Sequence, residues 1–291
     1  METIGFVGLG HMGGNMAARY LDEGYTVYGN ASGRDGAQWL IEKGLRWADT
    51  PREIAASAPI VMTSLPNDDV VRSVAEGESG LIAGLGDGSV WADLSTISPS
   101  ASRQLAQRVR DGAPGARMLD TPVSGSVPQV KSGTLTIMVG GDAASFGRVE
   151  PVLQLLGTPV HVGENGQGLV LKLAVNISLA VQMLAFSEGL LLAARDGIEP
   201  HLAAKVMSET PIGSPMLKAR VPLVLDEPDE TWFDVSLMDK DIRLALAAAG
   251  EQNVELPSAT VADEVLTEAA QRGYEHRDIA ALYDVLGAMS G

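Results

Sequence analysis

The 291-residue chain has no cysteine, which removes disulfides, thiolate metal sites and a cysteine nucleophile, and matches the usage expected of a reducing cytosol. Positive charge is scarce: 21 Lys and Arg stand against 37 Asp and Glu, a formal net charge of −16. Such a surface repels phosphodiester backbones, so nucleic acid is not an expected partner. The four histidines (His11, His161, His201, His276) are scattered without metal-ligand spacing, and no metal site is expected. A clean membrane-spanning run is also missing. The most apolar stretch, Leu169 to Ala194, is interrupted by Lys172, Asn176, Gln182 and Glu188, which favours a helix buried in protein and no membrane partner. A first strand beginning at about Thr3 leaves no room for a signal or transit peptide, so a cytoplasmic protein is expected.

What is present begins at once. Thr3-Ile4-Gly5-Phe6-Val7 reads as a strand, Gly8-Leu9-Gly10-His11-Met12-Gly13 as a glycine turn, and Met16 to Leu21 as a helix. That order suits a dinucleotide cradle. Gly8 permits the tight turn, Gly10 lets a pyrophosphate approach the backbone, and Gly13 lets helix and strand pack closely. The helix N-terminus then offers unpaired N–H groups to the phosphates. An ordinary βα turn has the same look, and only the strand before and the helix after favour the nucleotide.

Further strands are expected at Thr26–Gly29, Ile60–Ser64, Ser89–Leu94, Arg117–Val123, Leu135–Gly140 and Pro159–Val162, alternating with helical segments. This pattern predicts an α/β domain over 1–163, a Rossmann-type doubly wound sheet covered on both faces. From about residue 164 the pattern turns helical, over roughly 166–195, 199–208, 236–253, 257–272 and 278–289. The second domain, 164–291, is therefore expected to be all-helical and to include a long connecting helix. Glu227 to Glu230 reads as a solvated acidic loop.

Candidate ligand contacts follow the strand ends. After Val27-Tyr28-Gly29 come Asn30, Ser32 and Arg34, where an acidic residue would grip the ribose of NAD. A neutral Asn30 and a cationic Arg34 point to NADP, with NAD possible if Arg34 merely faces solvent. Leu65-Pro66 and Thr96 lie beyond two further strand ends, and Asn67 and Ser98 are helix caps by type. Ser124-Gly125-Ser126 is either a tight turn or a place where N–H groups and hydroxyls hold a carboxylate. Lys172 and Asn176, spaced i and i+4, share a face of the long helix among apolar neighbours. A lysine there either snorkels to water or, partly desolvated, becomes a proton-transfer group with its pKa drawn from about 10.4 towards 7–8. Asp239-Lys240-Asp241 with Arg243 is either a surface ion-pair cluster or a second site cation, and Trp232, Phe233 and Met238 before it form an apolar wall or plain core.

Together these segments resemble the β-hydroxyacid dehydrogenase family, which includes 3-hydroxyisobutyrate dehydrogenases, tartronate semialdehyde reductases and relatives of 6-phosphogluconate dehydrogenase. The resemblance spans essentially the whole chain. It rests on Ile4 to Gly13 with Met16-Ala17, on Asp120 to Gly125 with Gly133-Thr134-Leu135-Thr136 and Met138 to Gly141, on Gly166, Gly168, Lys172 and Asn176, and on Lys240-Asp241. It implies that Lys172 is the general acid/base and that Asn176 positions the substrate's hydroxyl and carboxylate. Ser124 and Gly125 would clamp the carboxylate, with Ser126 beside them. Leu65, Pro66 and Thr96 would contact the cofactor, and Lys240 would lie near the nicotinamide. It also implies a small-molecule substrate, a small 3-hydroxyacid or its semialdehyde or keto partner, and a homodimer or homotetramer. Ser126 stands where the family usually has a second glycine, Gln129-Val130 replaces Gly-Ala, and Ala31 occupies a position often held by Arg in NADP-using members. Val127-Pro128 is shared with the related imine reductases, which act on cyclic imines with NADPH and generally lack the lysine kept here as Lys172. A protein that only binds dinucleotide is a further alternative, and a decarboxylating sugar-phosphate enzyme fits poorly because no phosphate-gripping Arg cluster is evident.

Overall fold

The computed structural model describes residues 3–226 and 231–290. The acidic segment 227–230 lies outside the described residues. By packing, the chain divides into two units, Met1–Lys172 and Leu173–Gly291.

The first unit is built on a nine-stranded sheet: β1 Thr3–Val7, β2 Thr26–Asn30, β3 Arg46–Trp47, β4 Ile60–Thr63, β5 Val90–Asp93, β6 Arg117–Asp120, β7 Val123–Ser124, β8 Leu135–Gly140 and β9 Gly157–Gly163. The order β3-β2-β1-β4-β5-β6 is parallel throughout and is the doubly wound order of dinucleotide-binding sheets. Beyond it, β8 runs antiparallel to β6 and β7 and parallel to β9. Six helices precede the last strands' close: α1 His11–Asp22, α2 Gln38–Glu42, α3 Pro51–Ser57, α4 Asp68–Ala75, α5 Pro99–Gly112 and α6 Val127–Ser132, with α7 Ala143–Leu153 between β8 and β9.

Period-two alternation explains why both faces are covered. Ile4, Phe6, Ile60, Met62, Val90 and Ala92 point into one apolar layer. Their neighbours Val7, Val61 and Trp91 point into the other. Each fully buried Val, Ile, Phe or Met side chain among them contributes about 1.5–3 kcal/mol. The helices start on caps: Thr50, Asn67, Ser98 and Asp142 each accept a first-turn N–H.

The second unit is helical, without a named strand among its described residues. It comprises most of α8 Gln167–Arg195, then α9 Pro200–Glu209, α10 Pro215–Leu225, α11 Val235–Glu251, α12 Pro257–Gln271 and α13 Leu282–Met289 around one core. α8 is the one helix among the described residues long and apolar enough to cross a membrane, and 44% of its most apolar stretch is buried within the protein. Its first residues pack with the sheet, where Leu169 joins the layer of Val7 and Trp91.

Two helices do not appear in the sequence pattern. α6 starts on Val127-Pro128, where proline is tolerated because a first-turn N–H needs no intrahelical partner. α10 carries Pro222 inside it, which reads in sequence as a break.

Candidate active site

The glycine turn has the geometry its spacing implies. Gly8 takes a φ of +94°, and a Cβ on it would collide with the Ser64 carbonyl oxygen. A Cβ on Gly13 would collide with the Gly8 carbonyl oxygen, so this glycine is what lets α1 lie against β1. Gly10 differs, because a Cβ there would meet nothing within 4 Å. It is exposed, it precedes α1, and no side chain caps the helix. Open space beside uncapped first-turn N–H groups is the cradle a pyrophosphate requires. The residues therefore fit a dinucleotide. Leu9 points into the core, His11 is exposed and Met12 is half-buried.

Asn30 ends β2, where its carbonyl accepts the Gly8 N–H at 2.9 Å and its Nδ2 donates to the Ala48 carbonyl at 2.8 Å. Ser32 and Arg34 are exposed, and the Arg34 guanidinium stacks 5.9 Å from the centre of the Trp47 ring.

The loops after β4 and β5 are joined by a carboxylate that sequence reading passes over. Thr63 Oγ1 and Ser95 Oγ each donate to Asp93 Oδ1 at 2.6 Å, and the Trp91 indole N–H donates to Thr63 Oγ1 at 2.8 Å. The Leu65 N–H in turn donates to Ser95 Oγ at 2.9 Å. This chain of bonds fixes Leu65 relative to Thr96, next to Ser95. Asp93 is fully buried, and burial pushes its carboxyl up to about 6 even though these hydrogen bonds pull it down. Pro66 is exposed, while Leu65 and Thr96 are half-buried.

At the end of β6, Asp120 leads into buried Thr121 and Pro122, then Ser124, Gly125 and Ser126. Gly125 has a φ of +130° and makes the turn. The Ser126 N–H and hydroxyl both donate to Gln129 Oε1, at 2.9 and 3.0 Å. That N–H, which the sequence offers to a carboxylate, is thus engaged by a residue that replaces a glycine of the family pattern. Asp120 is itself buried. Its Oδ1 accepts the Gly166 N–H at 2.7 Å and the Ser102 hydroxyl at 3.3 Å, and its Oδ2 accepts the Leu169 N–H at 3.2 Å. Burial raises its pKa and the N–H bonds oppose that rise. Lys172 follows three residues after Leu169 and is only 9% exposed.

In the helical unit, Asn176 is 1% exposed and its Nδ2 donates to Asp241 Oδ2 at 2.5 Å. Lys240 Nζ lies 3.0 Å from Asp241 Oδ1. The acidic-basic cluster therefore divides. Arg243 is exposed, pairing with Asp239 and Asp263, whereas Asp241 is buried and holds both Asn176 and Lys240. Met238 is core, and the Trp232 and Phe233 N–H groups donate to Asp278. Among the described residues no cluster of His, Cys, Asp or Glu suits a metal ion.

Two family profiles cover the chain. Residues 3–164 match the NAD binding domain of 6-phosphogluconate dehydrogenase, and residues 166–286 match the NAD-binding region of NADP-dependent 3-hydroxyisobutyrate dehydrogenase. The 2-(hydroxymethyl)glutarate dehydrogenase of Eubacterium barkeri is 32% identical over 99% of this chain and 96% of its own length. The 3-hydroxyisobutyrate dehydrogenase of Pseudomonas aeruginosa is 33% identical over 96% of each. The solved 3-hydroxyisobutyrate dehydrogenase of Mycobacterium tuberculosis, with L-serine, superposes with a TM-score of 0.87 at 28% identity over 98% of this chain and 99% of its own. Imine reductases share the fold at 20 to 22% identity.

Proposed function

The chain belongs to the β-hydroxyacid dehydrogenase family, and from that premise we propose that it interconverts a small 3-hydroxyacid with its semialdehyde or keto partner. The observation that carries this reading is a nearly buried lysine, Lys172, one turn inside a helix whose start is held by a buried carboxylate. The substrates named for the two relatives share one group, a CH2OH on the carbon that bears a carboxylate, and that is the substrate class we assign.

A nicotinamide dinucleotide, when bound in the glycine cradle, would supply the hydride chemistry at the alcohol carbon. Lys172 Nζ takes the hydroxyl proton in oxidation and gives a proton to the carbonyl oxygen in reduction, so no free alkoxide forms. General acid/base groups contribute about 10²–10⁴-fold in rate. Ser124 and Gly125 hold the substrate carboxylate, with the Ser126 hydroxyl beside them, and Asn176 orients the reacting hydroxyl. Asp241 Oδ2 accepts the Asn176 Nδ2 hydrogen bond and so fixes the Asn176 amide. Lys240, held by the same carboxylate, would supply positive charge to the bound cofactor. Gly8 to Gly13 would cradle the pyrophosphate, and Leu65, Pro66 and Thr96 would contact the nicotinamide ribose. A neutral Asn30 with Arg34 after β2 supports NADP as the preferred cofactor. We further propose a homodimer or homotetramer, because Leu192, Leu202, Val206 and Ile212 of the helical unit are more than half exposed. A monomeric mass by light scattering would contradict that.

Val127-Pro128, with the Ser126 N–H engaged by Gln129, favours imine reduction as the second reading. Turnover of short 3-hydroxyacids, semialdehydes and cyclic imines with both nicotinamide cofactors separates the two. The expected result is at least about tenfold higher kcat/KM for a carboxylated alcohol or aldehyde than for any imine, with NADP(H) ahead of NAD(H). Imines turned over fastest would replace the first reading by the second.

A further inference from the structure

We infer that Asp120 is a positioning residue for Lys172: its carboxylate fastens the first turn of α8 to the end of β6 and so sets where the lysine Nζ stands. The inference rests on the role proposed for Lys172 and adds a residue that acts only through it.

The geometry is specific. Asp120 reaches across from the sheet to accept two N–H groups at the start of α8, those of Gly166 and Leu169, one on each carboxylate oxygen. Both belong to the set a helix leaves without intrahelical partners. Here the cap comes from 46 and 49 residues earlier in the chain, instead of from a side chain at the helix boundary. An anion at this end is also favoured by the dipole of a 29-residue helix.

The backbone around the carboxylate is cleared to admit it. A Cβ on Gly140 would sit 2.5 Å from Asp120 Oδ2, and one on Gly168 would sit 2.8 Å from the same oxygen and collide with the Met138 carbonyl. Gly166 has a φ of +88°, which aims its N–H at the acid. Three glycines from two segments thus serve one carboxylate.

Position along the chain turns a cap into a catalytic support. Lys172 follows Leu169 by three residues, a single helical turn. Ser124 follows Asp120 by four, at the end of β7. One buried acid therefore ties the segment that holds the substrate carboxylate to the turn that carries the proton donor. Nζ misplaced by about 1 Å would cost on the order of 10²-fold in rate.

Asp120→Asn tests this, because its amide nitrogen sets a donor against one of the two N–H donors. It is measured alone and in the Lys172→Ala background. The expected result is a kcat lower by about tenfold or more alone, but by less than about twofold once Lys172 is absent, with dinucleotide Kd within about twofold in both. Equal losses in both backgrounds, or no loss, would overturn the inference. If Asp120→Asn does not fold, Ser102→Ala carries the same comparison, since it removes only the 3.3 Å hydroxyl bond. About a threefold loss is then expected with Lys172 and none without it, and equal or absent losses again overturn the inference. Failure of the Lys172 reading shows separately, as undiminished turnover in Lys172→Ala itself.

Discussion

Asp93 and Asp120 are register partners on β5 and β6, both are buried, and only one of them has both oxygens engaged. Asp93 Oδ1 collects three bonds, while its Oδ2 is buried without a hydrogen-bond partner. Its folded carboxyl near 6 lies above the ordinary value of 3.8, so between those limits the folded protein holds more protons than the unfolded chain. The stability contributed by this group is therefore present below about pH 4 and lost as pH rises through about 6, a change on the order of 3 kcal/mol. In Asp93→Asn this dependence is expected to vanish. The Tm of the variant relative to the native protein should climb by roughly 5 °C or more between pH 4 and pH 7. Parallel Tm curves across that range would contradict it. Neither aspartate is legible as buried from sequence, since a strand-end Asp has the same letters whether it faces water or a neighbouring loop. The reverse holds for Asn67 and Ser98, whose capping roles follow from residue type and are present as expected.

Among elements, the glycine turn is where sequence speaks most clearly, because Gly8 and Gly13 are required by backbone contacts that spacing alone implies. The glycines separate by experiment. Gly13→Ala forces a Cβ into a backbone oxygen and should destabilise the protein by about 1–3 kcal/mol. Gly10→Ala meets open space, so Tm should hold while dinucleotide affinity falls about tenfold or more. Equal Tm losses in both variants, or unchanged affinity in Gly10→Ala, would contradict this division. Strand β8, expected and found over Leu135–Gly140, matches its pattern to the residue. The two-residue strands β3 and β7 carry too few residues for a period, and α6 and α10 hide behind prolines.

For the whole molecule, the switch from strand–helix alternation to helices alone is legible near residue 164, because a period of two gives way to 3.6. Packing divides the chain a little later, after Lys172, since the first turn of α8 is bound into the sheet unit by Asp120 and Leu169. That detail depends on contacts 46 or more residues apart, which no local pattern encodes. The candidate site was readable as a set of positions. That Asp93, Asp120 and Asp241 serve it as buried supports was not, although Asp120 and Asp241 lie in motifs the sequence shows. The chemistry turns on the amine of Lys172, and Lys172→Ala measures it most directly. With a 3-hydroxyacid and either nicotinamide cofactor, kcat should drop by about 10²-fold or more while dinucleotide Kd stays within about twofold. Turnover equal to that of the native protein would contradict proton transfer by this lysine.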